Sequence, residues 1–210
     1  MLVTHICTAS RLVPVDIGRV GVTGIDKRPV TGPVKIGRYG VWGDVQCDRA
    51  NHGGLDKAVY AMSNAEMAWW AQSGEDLKPG IFGENLRVDG DVDEIVIGSR
   101  YRFGSALLEA TGCRTPCRTF AWWRADEDWI ARFMARGRSG AYFRVIDPGV
   151  AQAGDILETL SVPSHGVTVG EWFRERPEPA PRLVAAHRSG DITLAPYLIK
   201  HMPRELRETL

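Results

Sequence analysis

The feature that most constrains this chain is a succession of short β-branched or alternating runs, punctuated by glycine, from its first residues to about residue 162. They are Leu2 to Cys7, Arg19 to Ile25, Val34 to Gly40, Glu84 to Val88, Ser99 to Phe103, Leu107 to Thr111, Ala141 to Ile146 and Asp155 to Leu160. Such runs read as strands half buried on one face. Many short strands bury those faces together only by curling into a barrel or a folded sheet. The expected fold class is therefore mixed α+β and β-rich. With 210 residues the chain holds one well-buried core and a small appendage rather than two ordinary domains.

Two helices interrupt the strands. The first opens on the capping-box pattern Ser63-Asn64-Ala65-Glu66 and carries Met67, Trp69 and Trp70 before Gly74. The second runs from about Asp126 to Arg136, with Trp129, Ile130, Phe133 and Met134 as its apolar stripe, and stops at Gly137. After Val162 the character changes. Thr168-Val169-Gly170-Glu171 repeats the capping box, three spaced prolines at 177, 179 and 181 form a stiff connector, and Leu183 to His187 and Leu194 to His201 look helical. The expected division is a β-rich domain over 1–162 and a helical segment over 163–210.

Lys plus Arg and Asp plus Glu both number 26, so no chain-wide field draws nucleic acid or an anionic membrane, and a small molecule is the expected partner. No apolar window approaches the length of a membrane span, and Met1 to Cys7 lacks the basic start of a secretory signal. The cysteines at 7, 47, 113 and 117 are accordingly expected to be reduced thiols in the cytoplasm.

The densest polar cluster is Asp48-Arg49-Ala50-Asn51-His52-Gly53-Gly54-Leu55-Asp56-Lys57. Consecutive glycines let backbone N–H groups approach a ligand, and Arg49, His52 and Lys57 offer donors to anionic oxygens; an ordinary glycine turn would look similar. His-Gly-Gly also occurs in esterase oxyanion loops, but the chain has no Gly-x-Ser-x-Gly elbow. In Gly112-Cys113-Arg114-Thr115-Pro116-Cys117-Arg118, arginines flank Cys117, and nearby cations favour the thiolate that attacks electrophiles or ligates soft metals. The Cys113 to Cys117 spacing does not match a zinc knuckle, and no second pair follows. Cys7 and Cys47 read as inert buried thiols, and His165, His187 and His201 as surface or packing residues.

Taken in order, these residues resemble the MOSC domain, named for the C-terminal domain of molybdenum cofactor sulfurases. The resemblance is carried by Lys27 ahead of Pro29-Val30, the Asp48 to Lys57 run, Gly83-Glu84-Asn85-Leu86, Arg114-Thr115-Pro116-Cys117, and Gly137-Arg138-Ser139-Gly140-Ala141-Tyr142-Phe143-Arg144-Val145. It extends to stand-alone bacterial members with a short C-terminal helical segment, often called 3-alpha, and so covers nearly the whole chain. It implies a MOSC-type β-barrel with peripheral helices that binds the molybdenum cofactor (molybdopterin), a pterin bearing a dithiolene and a phosphate, with Cys117 as the protein thiolate on molybdenum.

The resemblance further implies reduction of N-hydroxylated compounds, hydroxylamino purines among them, to amines. Lys27, Arg28, Arg49 and Arg114 are then candidates for the phosphate and pterin, although many relatives carry a small hydroxyl residue where Arg28 stands. His52, Asp56 and Lys57 are candidates for holding the pterin or delivering protons, and Gly53, Gly54, Asn85 and Arg144 join the cofactor-binding set. The chain has no iron–sulfur or Gly-x-Gly-x-x-Gly pattern, so electrons are expected from a separate donor protein. The alternative is a carrier of cofactor or sulfur without turnover. Pyridoxal phosphate on Lys57 is disfavoured, because neighbouring Asp56 would keep the amine charged.

Overall fold

The structure, a computed structural model, describes residues 1–17, 20–72, 74 and 77–210. Its strands are β1 (Leu2–Ala9), β2 (Val13–Pro14), β3 (Val22–Thr23), β4 (Lys27–Pro29), β5 (Val34–Gly37), β6 (Gly40–Val41), β7 (Val59–Ser63), β8 (Leu86–Asp89), β9 (Arg100–Phe103), β10 (Ala106–Cys113), β11 (Ala141–Asp147), β12 (Gly149–Ala151) and β13 (Leu157–Ser161). Its helices are α1 (Arg49–His52), α2 (Asn64–Ala71), α3 (Arg118–Arg124), α4 (Trp129–Arg136), α5 (Val169–Glu175), α6 (Ala180–Arg188), α7 (Pro196–Ile199) and α8 (Arg204–Arg207), with a 3-10 turn at Leu55–Lys57.

Eight strands form one sheet in the order β13-β9-β10-β11-β7-β8-β1-β4, antiparallel except for the parallel pair β7-β8. The ladder curls until its far parts meet. Leu2 bridges Ile156, Leu157 N–H donates to the Met1 carbonyl at 2.8 Å, and Val3 N–H donates to the Asp155 carbonyl at 3.0 Å. The fold is thus the expected mixed, β-rich one, a large curled sheet carrying helices. A small sheet β12-β5-β6 and a hairpin β2-β3 lie beside it.

Most expected strands appear within a residue or two, because short apolar or β-branched runs between glycines mark them; β9, with Arg100 and Arg102 exposed and Tyr101 and Phe103 buried, alternates strictly. The run from Arg19 is shorter than expected: Arg19 lies outside the described residues, and only Val22–Thr23 pairs. The run Val34 to Gly40 is a hairpin rather than one strand. Strand β7 was not anticipated. All five of its residues are buried, so Val59-Tyr60-Ala61-Met62-Ser63 shows no alternation, as expected for a strand covered on both faces.

The helices also differ in detail. Ser63 accepts the Glu66 N–H at 3.0 Å, but the Glu66 carboxylate takes the Arg136 fork at 2.9 and 2.7 Å instead of returning to the cap. The second helix begins at Trp129, with Asp126 binding the Asp128 N–H at 2.9 Å ahead of it. Its buried stripe narrows to Trp129 and Phe133, while Met134 is exposed.

An aromatic cluster fixes the site. Trp70, Phe82, Phe120, Trp129 and Phe133 are all fully buried, with ring centroids 4.7 to 6.4 Å apart. Phe120 belongs to α3, whose N-cap is Cys117; the Cys117 carbonyl accepts the N–H groups of Phe120 and Ala121 at 3.0 Å each. Burial of one aromatic side chain, worth roughly 3 kcal/mol relative to its truncation, therefore also fixes where Cys117 stands.

The helices after Val162 pack around β10. Phe173 meets Phe133 at 6.1 Å between centroids, and the Tyr197 and Thr111 hydroxyls lie 3.1 Å apart. Leu198 fills the space a side chain at Gly112 would need.

Glu84, fully buried, accepts the N–H groups of Gly80 and Phe82 at 2.6 and 2.9 Å and pairs with Arg87, whose Nε donates at 3.0 Å. Arg87→Ala would strand this carboxylate without a cation. We expect a loss of about 3–5 kcal/mol by chemical denaturation. A loss below about 1 kcal/mol would mean that the turn, not the pair, carries the local stability.

Candidate functional site

Two open cavities share a wall, with empty volumes of about 860 and 1070 Å³. Asp48, His52, Lys57, Cys117, Thr119 and Tyr142 line both. The first lies under β4 and the loop after β6, with Lys27, Asp44, Tyr60, Asn85 and Arg114 facing it. The second opens towards the C-terminal helices and adds Asn51, Arg118, Tyr197, Lys200 and His201.

Asp44 organises the first cavity. Its carboxylate accepts from Lys27 Nζ at 2.6 Å, Asn85 Nδ2 at 2.8 Å and the Ala9 N–H at 2.8 Å. Asn85 in turn accepts the Tyr60 N–H at 3.1 Å and donates to the Cys7 carbonyl at 3.2 Å, so Lys27, Asn85 and the strands β1, β4 and β7 hold one another in place. Sequence reasoning missed Asp44, whose partners lie 17 to 41 residues away.

Arg114 is only 6% exposed. One guanidinium nitrogen donates to the Phe82 carbonyl at 2.7 Å, and the plane sits 4.8 Å from the Tyr60 ring and 4.4 Å from the Phe120 ring. Its Nε has no hydrogen-bond partner. Burial disfavours its charge, but the surrounding Tyr142, Tyr60, Cys117 and Glu84 outweigh this and raise its proton affinity. A buried, partly unsatisfied guanidinium on a cavity wall is ready to receive an anion or a polar ring edge.

The His-Gly-Gly loop is built as a turn. Gly54 adopts φ 86° and gives its N–H to Gln46 Oε1 at 2.8 Å, and a side chain at Gly53 would strike that same glutamine. Lys57 Nζ donates to the Asn51 carbonyl at 2.5 Å and lies 4.3 Å from the Tyr197 ring. Burial, then the neighbouring Arg114 and Lys57, lower the His52 pKa to about 4, which keeps the imidazole neutral near pH 7.

Protonating that imidazole favours the unfolded chain, where its value is the ordinary 6.5. Its contribution is intact above pH 6.5 and is lost as pH falls towards 4, by at most about 3 kcal/mol. His165 and His201, also lowered mainly by burial, add to the same slope. Denaturant titrations of the chain at pH 7, 6, 5 and 4 are expected to show this loss, and His52→Asn to flatten it by more than half. An unchanged slope in the variant would show that His52 is not held neutral by its surroundings.

The four thiols are separated by environment. Burial pushes Cys7 up to about 12 and Cys113 up to about 11, and it raises Cys47 as well. Cys117 is partly exposed and faces both cavities.

Of the residues singled out from sequence, Lys27, His52, Lys57, Asn85, Arg114 and Cys117 converge on the first cavity. The others lie apart from both linings. Arg28 is exposed and pairs with Asp26 at 2.8 Å, and Arg49 lies over the Tyr39 ring at 5.0 Å. Asp56 and Arg144 pair with each other at 3.0 Å, behind the loop that Gly53 and Gly54 shape. Ser139, in the motif preceding β11, gives its N–H to Asp93 at 2.7 Å and so ties two loops together. His201, read from sequence as a surface or packing residue, is exposed and lines the second cavity. Among the described residues no three His, Cys, Asp or Glu side chains converge as a metal-ligand set, and no helix is long and apolar enough to cross a membrane.

Comparison with known proteins agrees with this fold. The chain is 34% identical over 168 residues to YflK of Bacillus subtilis, covering 79% of this chain and 76% of that protein. It is 32% identical over 155 residues to YiiM of Escherichia coli, covering 71% and 68%. The crystal structure of YiiM from Geobacillus stearothermophilus superposes with a TM-score of 0.70 at 25% identity over 99% of this chain and 96% of that one. The structure of YiiM from Escherichia coli shares the fold, with a TM-score of 0.71 at 23% identity over 95% and 90% of the two chains. Residues 48–158, which contain the His-Gly-Gly loop, Arg114 and Cys117, match the MOSC domain, and the chain belongs to this molybdenum-cofactor-associated family.

Proposed function

We propose that the chain binds molybdopterin in the first cavity, with Cys117 as the protein ligand to molybdenum, and that it reduces N-hydroxylated compounds to amines in the cytoplasm. The observation that carries this reading is the position of Cys117. It is a partly exposed thiol on the wall between a cavity bearing Lys27 and Arg114 and a second cavity open to solvent.

The residues present fit the cofactor. With no protein cluster of metal ligands among the described residues, a metal at Cys117 must bring most of its own ligands, as a pterin dithiolene does. Lys27, fixed by Asp44, and Arg114, with its unpartnered Nε, supply the cationic donors that phosphate and a pterin edge require.

Bound molybdenum would supply two-electron redox chemistry, so that R–NHOH, two electrons and two protons give R–NH2 and water. The chain's own residues bind and orient. The neutral His52 can accept or donate one hydrogen bond at each ring nitrogen, and Lys57, whose proton affinity burial lowers, is the adjacent proton source on the shared wall. The electrons come from a separate donor protein.

Protein produced in a host that makes the cofactor should contain molybdenum and pterin in a ratio near one, and should consume an N-hydroxylated purine when coupled to a reducing partner. Absence of both metal and pterin would remove the reading. Bound cofactor without turnover, with every electron donor tried, would favour the carrier role instead.

A further inference from the structure

The second cavity carries more positive charge than its own walls answer. Lys57, Arg118 and Lys200 line it against the single carboxylate of Asp48, a surplus of two, with His201 beside them. Asp48 is already engaged, accepting the Asn51 N–H at 3.2 Å and the Asn51 amide at 3.0 Å. Arg118 and Lys200 have no carboxylate partner among the described residues. The cations come from separate parts of the chain: the 3-10 turn, the start of α3 and the end of α7. Their side chains meet only because the C-terminal helices pack on β10.

The same cations bear on the neighbouring histidines. After burial, the cations Arg176, Lys200 and Lys57 disfavour a proton on His201, and Arg114 and Lys57 do so on His52. A concave, partly enclosed surface with a net positive charge attracts an anion and holds it.

We propose that this second cavity is a phosphate-recognition chamber for the substrate. It takes a phosphomonoester through Lys57, Arg118 and Lys200, so that N-hydroxylated nucleotides are preferred over the corresponding nucleosides and bases. A phosphomonoester carries close to two negative charges at neutral pH, which matches the surplus. A ligand held there reaches Cys117, which faces the same cavity. That part of the argument rests on the function proposed above, whereas binding of the phosphate does not.

The test is calorimetric titration with adenosine 5′-monophosphate and with adenosine, using the full chain with and without cofactor. The monophosphate is expected to bind at least about tenfold more tightly, and half-molar sodium chloride should erase most of the difference. Lys200→Ala and Arg118→Ala alter exposed side chains and should each bring the ratio of the two affinities towards one, with the circular dichroism spectrum unchanged. Equal affinities in the parent chain would overturn the proposal. So would a preference that falls with Lys27→Ala but survives Lys200→Ala, since that places the phosphate in the first cavity. A chain that takes up neither molybdenum nor pterin in a host that makes the cofactor, yet prefers the monophosphate, would defeat the reductase reading and leave the chamber standing.

Discussion

Cys117→Ser should reduce turnover of an N-hydroxylated base to background while moving the melting temperature by no more than about 3 °C. The two expectations follow from different properties of one atom. A serine hydroxyl is nearly isosteric with the thiol, and the position is only partly buried, so the exchange is worth about 1 kcal/mol or less, a small shift for a chain of this size. Its backbone role as the cap of α3 is unaffected, because the carbonyl and not the side chain accepts the Phe120 and Ala121 N–H groups. A serine hydroxyl stays protonated near neutral pH and is a hard ligand, unsuited to replacing a thiolate on a soft-ligated metal. Lys27 and Arg114 remain, so pterin should be retained in part and molybdenum less well. Activity within tenfold of the parent, at equal metal content, would exclude thiolate ligation. A collapse of the melting temperature would show instead that the thiol packs and that the cavity wall depends on it.

Much of this arrangement is legible in sequence wherever its cause is local. Strands β1, β10, β11 and β13 show themselves as short apolar or β-branched runs between glycines, and the turns that carry Asn85, the His-Gly-Gly loop and Cys117 through glycine and proline. Three features are not legible, each for a physical reason. Strand β7 is buried on both faces and therefore lacks a period. The helix α3 begins with Arg118-Thr119-Phe120-Ala121-Trp122-Trp123, where one β-branched and three aromatic residues hide the helical spacing; only Phe120 is fully buried. Asp44 has no local pattern, because its role exists only once β1, β4 and the Asn85 turn are assembled around it. The same holds for Lys200 and His201, which reach the Cys117 wall through tertiary packing alone. Charge by itself points less well. Arg28, Arg49 and Arg144 are as cationic as Arg114, yet they are occupied by Asp26, Tyr39 and Asp56 on other surfaces.

Arg114→Met separates cofactor binding from folding most sharply. In the cofactor-free chain the guanidinium is buried between Tyr60 and Phe120, keeps one hydrogen bond to the Phe82 carbonyl and leaves Nε unsatisfied. Burial penalises that charge, yet its surroundings outweigh the penalty, and an apolar side chain of similar length would forgo the hydrogen bond to Phe82, worth about 1 kcal/mol, and the two ring contacts. The methionine variant is therefore expected to fold, at a cost of no more than about 2 kcal/mol without cofactor. Its hold on the cofactor should fall by roughly ten- to a hundredfold, the equivalent of one or two charge-assisted hydrogen bonds. Denaturation of both apo chains, together with pterin released per protein after dialysis, measures the two effects separately. A variant that is less stable by more than about 2 kcal/mol would make Arg114 a structural cation. A variant that keeps its full pterin content would move the anion contact to Lys27. A small stability cost beside a large loss of binding is what separates a ligand-holding cation from a structural one, and Arg114 is a buried charge for which that split is expected, because its Nε has no partner in the structure.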